Sequence, residues 1–196
     1  MAEAELLNQI TDEYNSWVDS QYASNSKNKR KELGQYYTPP SLIMSLLEKF
    51  DYNSDDFKNK KIIDPTSGAG GLLIGCYYAG ANIENLYGIE LDKNILENVC
   101  WKRFDRIIDN DIEHNWTDGK KKQLKDLIRK HIHWGDALDK RCYSFDDGEE
   151  AVKYAEWVKE QDNIEKEKQK KKIDGMQANV AKTVKGAPCL RNLLKA

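Results

Sequence analysis

The chain has 196 residues, 39% hydrophobic and 33% charged, which suits one domain with a small appendage. No run of about 18 apolar residues occurs, which excludes a transmembrane helix; the acidic start MAEAELLNQITDEY lacks the basic and apolar regions of a secretory signal. Its 31 basic and 33 acidic side chains leave a net charge of −2, which excludes a domain-wide basic field.

Residues 1–24 read as a helix, because Leu6, Leu7, Ile10, Tyr14, Trp17 and Val18 recur at three- and four-residue steps. A polar, basic connector, SNSKNKRKELGQ, follows. Pro39-Pro40-Ser41 then opens a second helix, with proline near its first turn. Lys61–Asp64 reads as a short buried strand running into the glycine-rich turn Pro65–Gly71. Leu72–Tyr78 is predicted as a helix, Leu86–Glu90 as a second strand, and 92–109 as a helix with Ile95, Leu96, Val99, Phe104, Ile107 and Ile108 inward. A basic helix is expected over about 119–130, and His131–Trp134 as a third strand ending at Gly135-Asp136.

Strands alternating with helices argue for an α/β fold with a parallel, Rossmann-like sheet. Only 60 residues follow Asp136, so the sheet reads as incomplete. Residues 149–172 look helical, but 159–172 holds a single apolar residue, Ile164, and cannot bury a face. Residues 173–196 carry no clear pattern. The domain reading is an N-terminal helix and connector over 1–33, a ligand-binding domain over 34–146 and a charged helical tail over 147–196.

Basic residues cluster at Lys27–Lys31, at Lys120–Lys130 and at Lys166–Lys172. Such stripes bind phosphate backbones, though solvated helix faces are the commoner outcome. The four cysteines, Cys76, Cys100, Cys142 and Cys189, lie far apart with no CxxC, which reads as free thiols in a reducing cytoplasm.

The chemistry concentrates at the strand ends. Glycines in Asp64–Gly71 permit a sharp turn and bring backbone amides close to a ligand. Asp64 would repel a phosphate but accepts hydrogen bonds from an ammonium group. Glu90, ending the next strand, suits both hydroxyls of a ribose. Asp136, at the third strand's end, suits an adenine amino group. Three carboxylates in this order fit an adenosine joined to an amino acid, S-adenosylmethionine. A dinucleotide site is disfavoured because Gly71 breaks the G-x-G-x-x-G spacing, and a P-loop is excluded because no GK[ST] follows.

Gly34-Gln35-Tyr36-Tyr37-Thr38-Pro39-Pro40, then DPTSGAGG, YGIELD and WGDAL, resemble the adenine-N6 DNA methyltransferases over about residues 33–138. The likeness is closest to those beginning with a G-x-Y-Y-T-P element, including modification subunits of type I restriction systems and related phage enzymes. The resemblance implies that Tyr37, Thr38 and Pro39 cover the cofactor. It implies that Asp64 and Gly68 hold its methionine part, Glu90 its ribose and Asp136 its adenine. Thr66, Gly70, Leu91 and Ala137 complete the candidate cofactor-binding set. These enzymes carry an Asn/Asp-Pro-Pro-aromatic element that orients a flipped base. The chain's four prolines, Pro39, Pro40, Pro65 and Pro188, lie in no such element, so the catalytic residues are not legible.

Three functions compete: an adenine-specific DNA methyltransferase of a restriction-modification or phage system, a catalytically silent regulatory or antirestriction protein, and a rearranged product retaining the cofactor half. The partners implied are DNA and a second subunit or copy completing the sheet at an open Lys61–Asp64 edge, which Arg141–Phe145 would otherwise cover as a short strand. His131 and His133 are spaced like a metal pair on a strand, but read as structural. Trp101, Trp116 and Trp134 read as anchors, and no metal site is expected.

Overall fold

The computed structural model describes residues 3–22, 38–111, 114–145 and 149–186, with side chains described for 3–16, 38–111, 114–145 and 151–176. The expectations for Gly34–Tyr37, for Lys27–Lys31, for Cys189 and for the side chains of Trp17 and Val18 therefore lie outside the described residues. The chain forms two compact units, Met1–Asp147 and Gly148–Ala196.

The first unit is a mixed α/β structure. Helix α1, Glu3–Tyr22, opens with Glu3 and Glu5, whose charges favour the positive end of the helix dipole. Leu6 and Ile10 are buried, but Leu7 is 36% exposed, so the apolar stripe is narrower than its spacing predicts. Helix α2, Pro40–Lys49, starts where proline's preset φ and missing N–H cost nothing, and buries Ile43, Met44 and Leu47. Strands β1 (Ile62–Asp64), β2 (Leu86–Glu90) and β3 (Ile132–Trp134) follow, with helix α3, Gly71–Tyr78, between the first two.

The three strands are parallel in the order β1-β2-β3, with Asp64 opposite Gly88 and Glu90 opposite Trp134. Strand β2 is central, and Leu86–Ile89 are buried. Strand β1 departs from the buried strand expected. It pairs with β2 alone among the described residues, and Ile63 is 43% exposed, whereas Leu86–Ile89 of the central strand β2 are buried.

The single helix predicted over 92–109 is broken into helix α4 (Lys93–Ile95), a π-helical turn (Leu96–Cys100) and helix α5 (Trp101–Asn110). The reason lies in the apolar spacing. Ile95 and Val99 are four apart, Val99 and Phe104 five, Phe104 and Ile108 four. A π-turn absorbs the extra residue, and all six predicted inward residues are buried. Helix α6, Asp118–His131, is capped by Thr117 Oγ1, which accepts the Lys120 N–H at 3.3 Å. It runs one residue further than expected, so His131 closes the helix and does not share a strand face with His133. His131 stacks on Tyr87 instead, with ring centroids 4.3 Å apart.

The segment expected as a covering strand, Arg141–Phe145, is not a strand. Lys140–Tyr143 is a 3₁₀ turn, begun by the Asp139 carboxylate accepting the Arg141 N–H at 3.0 Å. Phe145 packs its ring on Tyr87 and His133, with centroids 5.0 and 4.9 Å away. The described part of the second unit is helix α7, Glu149–Gly186, extending 14 residues beyond the helix read from sequence. Ile164, Ile173 and Met176 on it are exposed, as a helix with so few apolar residues requires.

Candidate functional site

The carboxyl ends of β1 and β2 meet the glycine-rich turn that links β1 to α3. The turn is laid on β2: Ser67 donates to the Ile89 carbonyl through both its N–H (2.9 Å) and its Oγ (3.2 Å). Gly68 and Gly70 sit at φ +52° and +79°, the left-handed region that glycine tolerates without strain. A Cβ on Gly70 would lie 2.9 Å from Cys100 Sγ and 3.1 Å from Phe104, so the turn also needs the missing side chain for space.

Glu90 closes this arrangement. Its Oε2 accepts the Gly68 N–H and its Oε1 the Asp92 N–H, each at 2.7 Å. Burial pushes the Glu90 carboxyl above its ordinary value; the two backbone N–H groups oppose the rise, while the charges of Asp92 and Asp64 add to it. Asp64, at the end of β1, accepts the Thr66 N–H at 3.0 Å and is also raised by burial, with the Thr66 bonds opposing.

The remaining candidates take several places. Thr38 and Pro39 precede α2, with the Thr38 carbonyl 4.0 Å from where a Gly71 Cβ would lie, beside the turn. Tyr37 lies outside the described residues. Leu91 is 65% exposed, and its carbonyl accepts the Trp134 indole N–H at 3.0 Å. Asp136 does not end β3, which stops at Trp134; it lies two residues on, in a turn where its carboxylate accepts the Leu138 N–H at 2.9 Å. The Gly135 N–H donates to the Glu90 carbonyl at 2.9 Å, tying this turn to the end of β2. The Ala137 carbonyl accepts from the Tyr143 hydroxyl at 3.0 Å.

Sequence reasoning missed Arg103. It is 3% exposed, donates from Nη1 to the Ala69 carbonyl at 2.7 Å and from Nε to Glu13 Oε1 at 2.9 Å, and Nη2 pairs with Glu13 Oε2. The signal was present: Arg103 stands three residues after Cys100 and four before Ile107, on the apolar stripe itself.

Other sequence features resolve as structure. Burial pushes the Cys76 and Cys100 thiols up to about 12 and Cys142 to about 11, so all three stay protonated. Burial pushes the His133 imidazole below its ordinary value, while the carbonyls of Cys142 (2.7 Å) and Lys130 (3.1 Å) facing its two ring nitrogens oppose the fall. No metal-binding group of three or more His, Cys, Asp or Glu side chains occurs among the described residues. Three Lys and Arg side chains of α6 form ion pairs with this unit's acids: Lys120 with Glu84, Lys125 with Asp109 and Arg129 with Asp105. Trp101 donates to the Ile132 carbonyl, Trp116 stacks on His114, and Lys93 Nζ lies 4.5 Å over the Trp134 ring. A cavity of about 930 Å³ lies among Gln9, Tyr52, Tyr77, Asp111 and Trp116; none of the candidate residues lines it. No described helix is long and apolar enough to cross a membrane.

The family model of the N-6 DNA methylases matches residues 9–102, just under half of the chain. Among curated proteins and solved structures nothing matches. The matched span includes most of α1, then β1, the glycine-rich turn, β2 and Glu90, and it supports a DNA N6-methyltransferase-like function. Residues 9–102 are thus a partial match to the N-6 DNA methylase family, the family that the sequence motifs resemble.

Proposed function

We propose that the chain binds S-adenosylmethionine at the carboxyl end of its sheet and acts in methylation of adenine N6 in DNA. The observation that carries this reading is the Glu90 carboxylate, fixed by two backbone N–H groups beside a turn containing two left-handed glycines. A carboxylate offers about four acceptor positions, so each Glu90 oxygen keeps one for a hydroxyl of a ribose. Asp64 would take the ammonium group of the methionine part and Asp136 the adenine amino group. The exposed Leu91 side chain offers an apolar surface beside them. The cofactor would supply an electrophilic methyl group; the residues named here bind and orient it.

Calorimetry with S-adenosylhomocysteine tests this directly. Glu90→Ala should weaken binding by about 1.5–3 kcal/mol, roughly 10- to 150-fold, through loss of charge-assisted hydrogen bonds. Absence of binding to the wild-type chain at millimolar ligand would end the reading.

A second reading, a silent methyltransferase-like binding or regulatory protein, is favoured by the proline positions, none of which forms an Asn/Asp-Pro-Pro-aromatic element. Without acceptors for the target amino group, the chain is expected to transfer little methyl to DNA alone, since positioning supplies up to about 7–11 kcal/mol of rate enhancement in favourable cases. Transfer of tritiated methyl groups to DNA by the purified chain separates the two readings. The proposed setting is the cytoplasm, in a restriction-modification or phage modification system, with DNA and a second copy or subunit at the β1 edge as partners.

A further inference from the structure

The geometry points to Glu13 and Arg103 as positioning residues that hold the glycine-rich turn in its ligand-binding form, making α1 part of the site. This inference rests on the proposed cofactor reading. Glycines at positive φ make the turn easy to form but also soft, because they lose the most conformational freedom on ordering. Two peptide groups in it, Ser67–Gly68 and Ala69–Gly70, are nevertheless pinned. The Gly68 N–H is held by Glu90 at 2.7 Å, the Gly70 N–H by the Ser67 carbonyl at 2.7 Å, and the Ala69 carbonyl by Arg103 Nη1 at 2.7 Å. The peptide between Gly68 and Ala69 is thereby flanked by two held units, and on the proposed cofactor reading it would meet the amino-acid part of the ligand.

Arg103 does this from within the fold, and its guanidinium is in turn aimed by Glu13, 90 residues earlier on α1. The neighbouring residue, Tyr14, packs against the small cluster that Ala69 of the turn forms with Ile95 and Val99. A buried ion pair adds little net stability over a well-packed apolar pair, whereas a planar fork fixes direction. Lysine cannot reproduce that fork, nor can a neutral amide keep both of its carboxylate partners.

The test uses Glu13→Gln and Arg103→Lys in the full chain, with Ile128→Val, a core change on α6, as the control. Two quantities are read: amide exchange over residues 66–71 without ligand, and affinity for S-adenosylhomocysteine. In variants folded by circular dichroism, exchange over 66–71 should quicken and affinity fall about tenfold, with the double variant no worse than the poorer single one. The control should change neither beyond its effect on melting temperature. Unchanged exchange in folded Glu13→Gln, or changes no larger than the control's, would overturn the inference; Glu13→Gln alone decides it if Arg103→Lys does not fold. Should the wild-type chain bind no ligand, the cofactor reading falls, while the exchange comparison still decides whether α1 orders the turn.

Discussion

Glu90 carries two roles that pull in opposite directions. As a structural group it receives the Gly68 and Asp92 N–H donors; as a half-buried charge it is held above its ordinary value of 4.5. A group with a raised folded pKa adds stability that is fully present below its unfolded value and is lost as pH rises through the folded value. Wild-type stability should therefore gain relative to Glu90→Gln as pH falls from 7 toward 4.5, measured by urea unfolding at several pH values. Ligand affinity should move the other way. The charged form accepts from a diol, so affinity for S-adenosylhomocysteine should fall as pH drops through the raised pKa, and this dependence should vanish in Glu90→Gln. His133 acts in the other sense: its lowered folded pKa gives stability present above 6.5 and lost as pH falls through the folded value. The wild-type-minus-variant difference cancels that contribution.

The glycine-rich turn and the π-turn are one packing unit at the level of elements. Gly70 and Cys100 approach so closely that a single methyl group on Gly70 has no place. Gly70→Ala combines backbone strain at φ +79°, about 1–2 kcal/mol, with overpacking of about 1–3 kcal/mol, so a loss of about 2–5 kcal/mol is expected in urea unfolding. Adding Cys100→Ala should recover part of it, because only the overpacking is relieved. Full recovery would mean that the left-handed conformation is not strained there. The π-turn also decides where Arg103 lies. The extra residue lets Val99 and Phe104 both face inward, and it leaves Arg103 on the buried side with its fork toward Ala69.

The first unit of the molecule presents β1 as a strand with one described neighbour. Three residues of backbone and the half-exposed Ile63 form an edge of the kind that proteins cover or pair. Pairing by a second copy should give a mass above 22.6 kDa by light scattering at high concentration, and Ile63→Lys should return it to the single-chain value. A single-chain mass for the wild type, with slow amide exchange at Ile62 and Ile63, would count against any partner at this edge. The charge distribution adds little pull toward nucleic acid from α6, where three of the basic side chains are already matched by Glu84, Asp109 and Asp105. Lys166 and Lys168 alternate with Glu165 and Glu167 on an exposed stretch of α7, a pattern suited to solvation.

Local periodicity settled much of this protein before any coordinates. The three strands, the helices between them, the six inward residues of 95–108 and the placement of Asp64 and Glu90 at strand ends follow from apolar spacing and glycine position, which act over a few residues. Asp136 lies two residues beyond the end of β3, in a turn that combines a local bond, its carboxylate accepting the Leu138 N–H, with a distant one, the Gly135 N–H on the Glu90 carbonyl, that no local pattern encodes. Tertiary structure alone decided that Ile63 stays half exposed and that His131, the last residue of its helix, stacks on Tyr87. It also decided that Glu13 reaches Arg103. Each of these depends on which distant surface lies opposite. A sequence read through its own periodicity reports which side of an element is apolar, but not what stands across from it.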